Sequence, residues 1–468
     1  MIQQEKHQHR TGIARREVVQ AGFCGLLGLG LSDVFGMQAA TAATATAAGS
    51  GAAMRGPRAK SVILVFMTGA PSHQDIWDLD MNRPVEYRGE ARPRKTNVPG
   101  IEISEHLELI AKVADRFSIV RSMTHNTNTH EIGTHYVLTG INNLPPGATH
   151  FATRNDWPCL GSVVTYARPG TSGLPTAVEL PTYLNNGYGF SGQSAGLMGS
   201  RWDPWQITAD PNKPDFRVPD LMPLPLLTAG RLDQRQRLLN GVERYRRDLD
   251  AQAEARQMSS AQEKAFTTLT SSRTRDAFDL SREPDAVRDR YGRHSFGQSL
   301  LLARRLVESG VTVVQANMGS MNNWDTHTAI FKQLRERLLP PFDRGFSALL
   351  EDLDQRGILD ETLVIAVGEF GRSPRVGQNV GGQAEFPDGR DHWGGVFSAV
   401  FAGGGVQGGR VVGKSDEYAA YPSGQEYTPA DLGATVYTAL GIDPRLEVHD
   451  REGRPLVVNH GEVIQPLF

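Results

Sequence analysis

The stretch Leu363–Gly405 reads LVIAVGEFGRSPRVGQNVGGQAEFPDGRDHWGGVFSAVFAGGG, and its pattern decides the fold. Leu363–Val367 is an apolar, β-branched run, short enough for a strand buried on both faces. It stops at Gly368 and is followed at once by an acid, Glu369. A glycine-rich loop then leads to Asp391-His392-Trp393 and to a second apolar run, Val396–Ala402, closed by three glycines. In open α/β sheets ligands bind just beyond the carboxyl ends of the strands. Strand, acid, loop, Asp-His, strand therefore predicts that Glu369 and His392 line an active or metal site at one sheet edge.

The same pattern recurs upstream. Val62–Met67 predicts a first strand, which runs through Thr68-Gly69-Ala70-Pro71 into Ser72-His73-Gln74-Asp75. Phe117–Val120 predicts a second, followed by His125, His130 and His135 in a chain with 13 histidines. His130 and His135 are five apart, a spacing that a regular helix places imperfectly on one face. Two readings stay open: a strand-to-helix corner with His125 or His130 in the pocket, or a polar helix start with solvated histidines. Val311–Ala316 predicts a third strand, delivering Asp325-Thr326-His327 after a glycine turn.

Four strand ends thus carry acids or histidines: Asp75 with His73, the His125–His135 cluster, Asp325 with His327, and Glu369 with Asp391-His392. Imidazole with carboxylate suits zinc, manganese or iron, whereas magnesium and calcium sites lean on oxygen. A two-metal site of this kind clamps the attacking and leaving oxygens of a phosphoryl or sulfuryl ester. Taken alone, an Asp-x-His such as Asp325–His327 is more simply a helix N-cap beside a surface histidine; the repetition favours the metal.

Helical patterns fill the intervals: Leu226–Met258, Ser259–Asp279, Ser299–Ser309, Phe331–Leu339, and Pro341–Arg356 with Gly357 as its stop. Thr428-Pro429-Ala430-Asp431 opens a further helix, Leu432–Leu440. Residues 141–225 read as loops over the sheet edge. Strands alternating with helices predict a mostly parallel sheet covered on both faces.

Composition narrows the class. A chain of 468 residues with 39% apolar and 22% charged residues affords a sizeable globular core. A net charge of -3 argues against nucleic acid as a partner. Two cysteines, Cys24 and Cys159, support neither a disulfide framework nor a cysteine-based zinc site. Residues 1–59 read as a secretory signal and low-complexity linker, with Arg15-Arg16 ahead of the apolar run Ala21–Leu31. The arginine pair points to the twin-arginine route and a periplasmic or secreted protein. The apolar run is too short for a stable membrane span. Residues 60–468 form a single domain in this reading, with a helical region near 226–310. Gly69-Ala-Pro-Ser72-His lacks the second glycine of a Gly-x-Ser-x-Gly elbow, no Gly-x-Gly-x-x-Gly opens a helix after the first strand, and Gly403-Gly404-Gly405 lacks the lysine and hydroxyl of a nucleotide P-loop.

With these residues in view, the chain resembles a family of secreted bacterial proteins known as a domain of unknown function (number fifteen hundred and one), sulfatase-like and within the alkaline phosphatase superfamily. The resemblance rests on Gly69-Ala-Pro-Ser-His-Gln-Asp75, His135-Tyr-Val-Leu-Thr-Gly140, Asn323-Trp-Asp-Thr-His327, Gly368-Glu-Phe-Gly-Arg-Ser-Pro374 and Gly389-Arg-Asp-His-Trp393. It implies an α/β, alkaline phosphatase/sulfatase-like fold over nearly the whole of residues 61–455. Where sulfatases place a Cys or Ser nucleophile, eight residues before Leu-Thr-Gly, this chain has His130. Where the superfamily ends a strand in Asp-His, it has Glu369-Phe370, and Phe370 cannot bind a metal. The implied metal ligands are Asp325, His327 and His392, with Asp75, Glu369 and Asp391 as further candidates. His130 is the implied nucleophile or general acid, and Arg121 and Arg372 the anion holders; His73, His125 and His135 belong to the surrounding pocket. The implied cofactor is a divalent metal, zinc or manganese ahead of calcium or magnesium. The implied partner is an anionic ester, including a sulfated or phosphorylated glycan. The competing expectation is a noncatalytic ligand-binding or cell-envelope protein that keeps the fold.

Overall fold

A computed structural model describes residues 58–170, 173–218, 221, 271–320, 323–380 and 387–468. The signal and linker segment, apart from Arg58 and Ala59, lies outside the described residues, as does the helical pattern over 222–270. The described residues belong to one compact unit, Pro57–Phe468. Arg58 and Ala59 already join it, both donating backbone hydrogen bonds to the Ala439 carbonyl. Among the described residues no helix is long and apolar enough to cross a membrane.

The centre is an eight-stranded sheet. Its strands are β1 (Ser61–Phe66), β4 (Phe117–Met123), β5 (Ala177–Leu180), β6 (Trp205–Gln206), β7 (Val313–Asn317), β8 (Thr362–Val367), β11 (Phe397–Ala402) and β12 (Arg410–Val412). Three small two-stranded ribbons, β2 (Pro93–Lys95) with β3 (Glu102–Ser104), β9 (Gly371–Arg372) with β10 (His392–Trp393) and β13 (Glu447–His449) with β14 (Pro455–Val457), stand outside it among the described residues. The order is β12-β4-β11-β8-β1-β7-β5-β6. All neighbours pair in parallel except β11, which runs antiparallel to both β4 and β8. The fold is therefore α/β with a mostly parallel central sheet. The second apolar run of the opening stretch, β11, is its one reversed strand.

Side chains that alternate along these strands enter two separate cores. Val62, Leu64 and Phe66 of β1 pack on one face, and Ile63, Val65 and Met67 on the other. In β8, Leu363, Ile365 and Val367 oppose Val364 and Ala366. Period-two alternation with both faces apolar is what a helix-covered parallel sheet demands. One face is closed by helices α2 (His130–Thr139), α3 (Leu160–Ala167) and α9 (Pro429–Ala439), the other by α6 (Ser295–Glu308) and α8 (Leu339–Gln355). Short helices α1 (His73–Ile76), α4 (Ser272–Phe278), α5 (Asp285–Tyr291) and α7 (Ile330–Gln333) fill the connections. α9 begins in a capping box between Thr428 and Asp431, and Gly357 takes a positive φ of 68° just after α8.

Residues 141–225 are not loops alone: they hold α3, β5 and β6. β5 is only four residues long and lies between Pro175 and Pro181, so its pattern is too brief to read from sequence. The helix expected over Phe331–Leu339 is α7 followed by a π-helical turn, Leu334–Leu338, that leads directly into α8.

α8 presents Phe342, Phe346, Leu349, Leu350 and Leu353 to the sheet, one apolar helical stripe. Phe342 is fully buried, meets Trp77 and Trp324 edge-on at 6.1 and 6.0 Å, and stacks on Phe346 at 5.2 Å. Truncating it should leave a cavity and cost about 3–5 kcal/mol. Urea unfolding of Phe342→Ala should show that loss as a lower midpoint with an unchanged slope.

Candidate metal centre

The carboxyl ends of β8, β1 and β7 lie side by side, and the sheet order brings the end of β4 to the same edge. The turn after β1 puts two successive residues at positive φ, Gly69 at 105° and Ala70 at 65°. Successive backbone N–H groups in a turn can form a concave anion cradle. Its occupant is Glu369, which accepts from Gly69 N at 2.8 Å and Ala70 N at 3.1 Å. The same carboxylate accepts from His130 Nδ1 at 2.6 Å. Glu369 is completely buried, and in this structure its oxygens face the cradle and the imidazole.

Asp325 gathers the remaining groups. Its Oδ1 lies 3.0 Å from His327 Nε2, 3.0 Å from His392 Nε2 and 2.7 Å from Arg372 Nη2. His327 Nε2 and His392 Nε2 are themselves 2.9 Å apart. His130 Nε2 stands 3.4 Å from Asp325 Oδ2, an ion-pair contact beyond good hydrogen-bond range. That nitrogen is buried with no hydrogen-bond partner. Ligand atoms of His130, Asp325 and His392 lie within 4.8 Å of one another, and so do those of His327, Asp391 and His392.

Tautomers can be assigned from the partners. His392 Nδ1 is 2.8 Å from the Asn128 carbonyl, which only accepts, so Nδ1 carries the proton. A neutral His392 then turns its Nε2 lone pair toward a carboxylate oxygen and another ring nitrogen. His130 repeats the arrangement, with Nδ1–H on Glu369 and Nε2 toward Asp325. Lone pairs facing a carboxylate need a proton or a cation between them. An imidazole whose inner nitrogen donates to a carboxylate or carbonyl is the usual support of a metal-ligating histidine.

The electrostatics agree. Burial alone would raise the Asp325 carboxyl, but the rings of His130, His327 and His392 around it and the charge of Arg372 hold it far below the usual carboxylate range. Burial alone would lower His130, but Asp325 and Glu369 raise it to about 9. His392 is pushed down by burial, against Asp325 and with the charges of Arg372 and His130.

The other candidates fall elsewhere. Asp75 is buried against Arg390, whose Nε and Nη2 donate to its two oxygens at 2.8 and 3.2 Å. Arg372 is fully buried and donates to Asp325 and to the carbonyls of Gly69, Ala70, Trp324 and Arg390. Arg121 pairs with Asp78 at 3.6 Å and donates to the Glu102 carbonyl. Asp391 accepts from Val380 N and from its neighbour His392 N, and stands 3.6 Å from His327 Nδ1. His125 joins the ends of β4 and β8 through Nε2 and the Glu369 carbonyl at 2.6 Å. His73 lies 3.1 Å from the Ala419 carbonyl, and His135 2.9 Å from Ser191 Oγ. Phe370 packs against the rings of His130 and His392, with centroids 5.0 Å away in each case. It is an apolar floor behind two imidazoles.

Sequence reasoning missed Arg390 and the Asn128 carbonyl. Arg390 had a signal, since it sits in the Gly389-Arg-Asp-His-Trp393 run. A main-chain acceptor such as Asn128 has none.

The family model described as "Protein of unknown function (DUF1501)" matches residues 59–468. The chain belongs to this family. A search of curated proteins returned no match. Among solved structures, Ps i-CgsB bound to k-i-k-neocarrahexaose is similar at 11% identity and TM-score 0.39, covering 83% of this chain and 73% of the other. The PsFucS1 sulfatase from Pseudoalteromonas sp. is similar at 14% and 0.37, covering 84% and 69%. Alkaline phosphatase from the Antarctic bacterium TAB5 follows at 10% and 0.34, covering 83% and 99%. These likenesses are low; what the family member folds into is read from its own strand order.

Two buried histidines outside the centre set a pH dependence. Burial lowers both His73 and His135 to about 4. In the unfolded chain each takes a proton near the ordinary value of about 6.5. Between those values the unfolded state binds more protons at these two sites, so their contribution to stability falls as pH falls from about 6.5 to about 4, opposed above about 4.5 by Glu179, which burial raises to about 8. The slope is about 1.4 kcal/mol per pH unit for each histidine. Unfolding measured across this window should show it, and His135→Gln should remove one proton's share. An unchanged slope in that variant would contradict neutral burial.

Proposed function

We propose that this chain is an exported, metal-dependent hydrolase of phosphate or sulfate esters. One observation carries the reading: three imidazoles turn ring nitrogens on the Asp325 carboxylate, two of them with the inner nitrogen tied to an acceptor. His130, Asp325, His327 and His392 would hold the ion. Three nitrogens and one carboxylate suit zinc or manganese, and fit the oxygen preference of calcium or magnesium poorly. The ion, when bound, supplies Lewis-acid polarisation of the ester and an acidified water.

The chain's own groups do the rest. Glu369 holds the proton on His130 Nδ1 and fixes the ring. The Asn128 carbonyl does the same for His392. Arg372 commits its donors to Asp325 and to main-chain carbonyls, so we assign it to positioning that carboxylate and leave the ester to the open side of the centre. Export rests on the arginine pair and apolar run near the N-terminus, which suit a periplasmic or secreted enzyme.

Metal content of the purified protein, followed by hydrolysis of p-nitrophenyl phosphate and p-nitrophenyl sulfate, tests the proposal. Stoichiometric zinc or manganese and turnover that chelation abolishes are expected. Glu369→Gln should weaken metal affinity about 10–100-fold. Tight metal with no turnover of either ester would favour the ligand-binding alternative. Neither metal nor turnover would overturn the proposal.

A further inference from the structure

Next to the centre runs a groove of about 490 Å³, and the side chains of Trp393, Tyr421, Asn126, Asn142 and Glu426 that line it have no part in the steps above. Binding pockets for small molecules span about 300–1,000 Å³. The groove and the centre share a wall. β10 contributes His392 to the centre and its successor, Trp393, to the groove. Asn128 offers its carbonyl to His392 and also lines the groove.

The lining has a definite chemistry. Trp393 is half-buried and pinned by its Nε1, which donates to the Ala420 carbonyl at 2.6 Å. Tyr421, 55% exposed, meets it edge-on at 5.5 Å. Around this aromatic pair stand the exposed side chains of Asn126, Asn128, Asn142 and Glu426. Asn128 Oδ1 accepts from Gly394 N at 2.6 Å, which fixes the orientation of that amide. Among the described residues, no lysine or arginine lines the groove.

Each feature selects for the same ligand. Rigid aromatic rings offer a large contact surface at little entropic cost, and favour a flat partner with a weakly positive C–H face. Amide and carboxylate groups around them demand a partner rich in hydroxyls. A glutamate without a basic neighbour in the lining disfavours a polyanion. We infer that this groove binds the uncharged saccharide portion of the ester substrate, leaving the single anionic group to the metal centre. The inference rests on the hydrolase reading for what the groove serves, and it narrows the expected glycan from a highly charged to a largely neutral one.

The test is direct binding, which needs no turnover. Saturation-transfer NMR and tryptophan fluorescence would be recorded on the intact protein with lactose, cellotriose, maltotriose and chitotriose as probes. Saturable binding of at least one neutral sugar is expected, weakened at least tenfold in Trp393→Ala. Tyr421→Ala should weaken it too, and as an exposed side chain its truncation leaves the fold in place. A heparin hexasaccharide should bind no better than the neutral sugars, and adenosine should not compete. Absence of binding by every neutral sugar, indifference to Tyr421→Ala, or preference for heparin or adenosine would overturn the inference. Sugar binding by a protein without metal or turnover would sink the hydrolase reading and leave the groove standing. Ester turnover without sugar binding would do the reverse.

Discussion

Everything at the carboxyl edge of the sheet depends on the ionised carboxylate of Asp325. One of its oxygens sits within 3.0 Å of two histidine nitrogens and 2.7 Å of a buried guanidinium, while the other faces a third histidine. A carboxylate largely shielded from water, as Asp325 is at 16% exposure, is costly unless it is paired. Here the compensation comes from four segments, since His130 opens α2, His327 follows β7, Arg372 lies on β9 and His392 on β10. Asp325 therefore joins parts of the chain that are distant in sequence, and losing its charge would leave Arg372, at 0% exposure, without its only ionic partner among the described residues.

The support reaches back into the core. Trp324, the residue before Asp325, is buried against Phe342 of α8, so the apolar layer beneath the sheet sets the height of the carboxylate. Arg372 ties the same carboxylate to the carbonyls of Gly69 and Ala70, whose amides hold Glu369. Glu369 in turn orients His130. The loop after β1 thus couples both carboxylates, through its carbonyls on one side and its amides on the other. A pre-set shell of this kind holds ligands in place without reorganisation when an ion binds.

Much of this was legible in the chain. Buried strands followed by Gly and then by Asp or His marked the ends of β1, β7 and β8, because two-sided burial leaves continuous apolar runs that are easy to see. That pattern places Asp325, His327 and His392 among several candidates, and the family resemblance is what singles them out as expected ligands. Partnership was not legible. Asp75 and Glu369 look alike as acids after strands, yet one meets Arg390 and the other a backbone cradle, and such pairings span about 300 residues of sequence. Arg372 reads equally well as an anion holder or as a buried clamp until its five donors are counted. The Trp393–Tyr421 groove was invisible because a half-exposed aromatic next to a site looks, in sequence, like any core residue.

X-ray absorption at the metal edge of zinc- or manganese-loaded protein tests the central claim most directly, because it counts ligands and does not depend on knowing the substrate. The arrangement around Asp325 predicts a first shell of nitrogen and oxygen with multiple-scattering features from about three imidazoles, reduced by one in His327→Ala. A shell of oxygen alone, or a spectrum unchanged by that substitution, would contradict it.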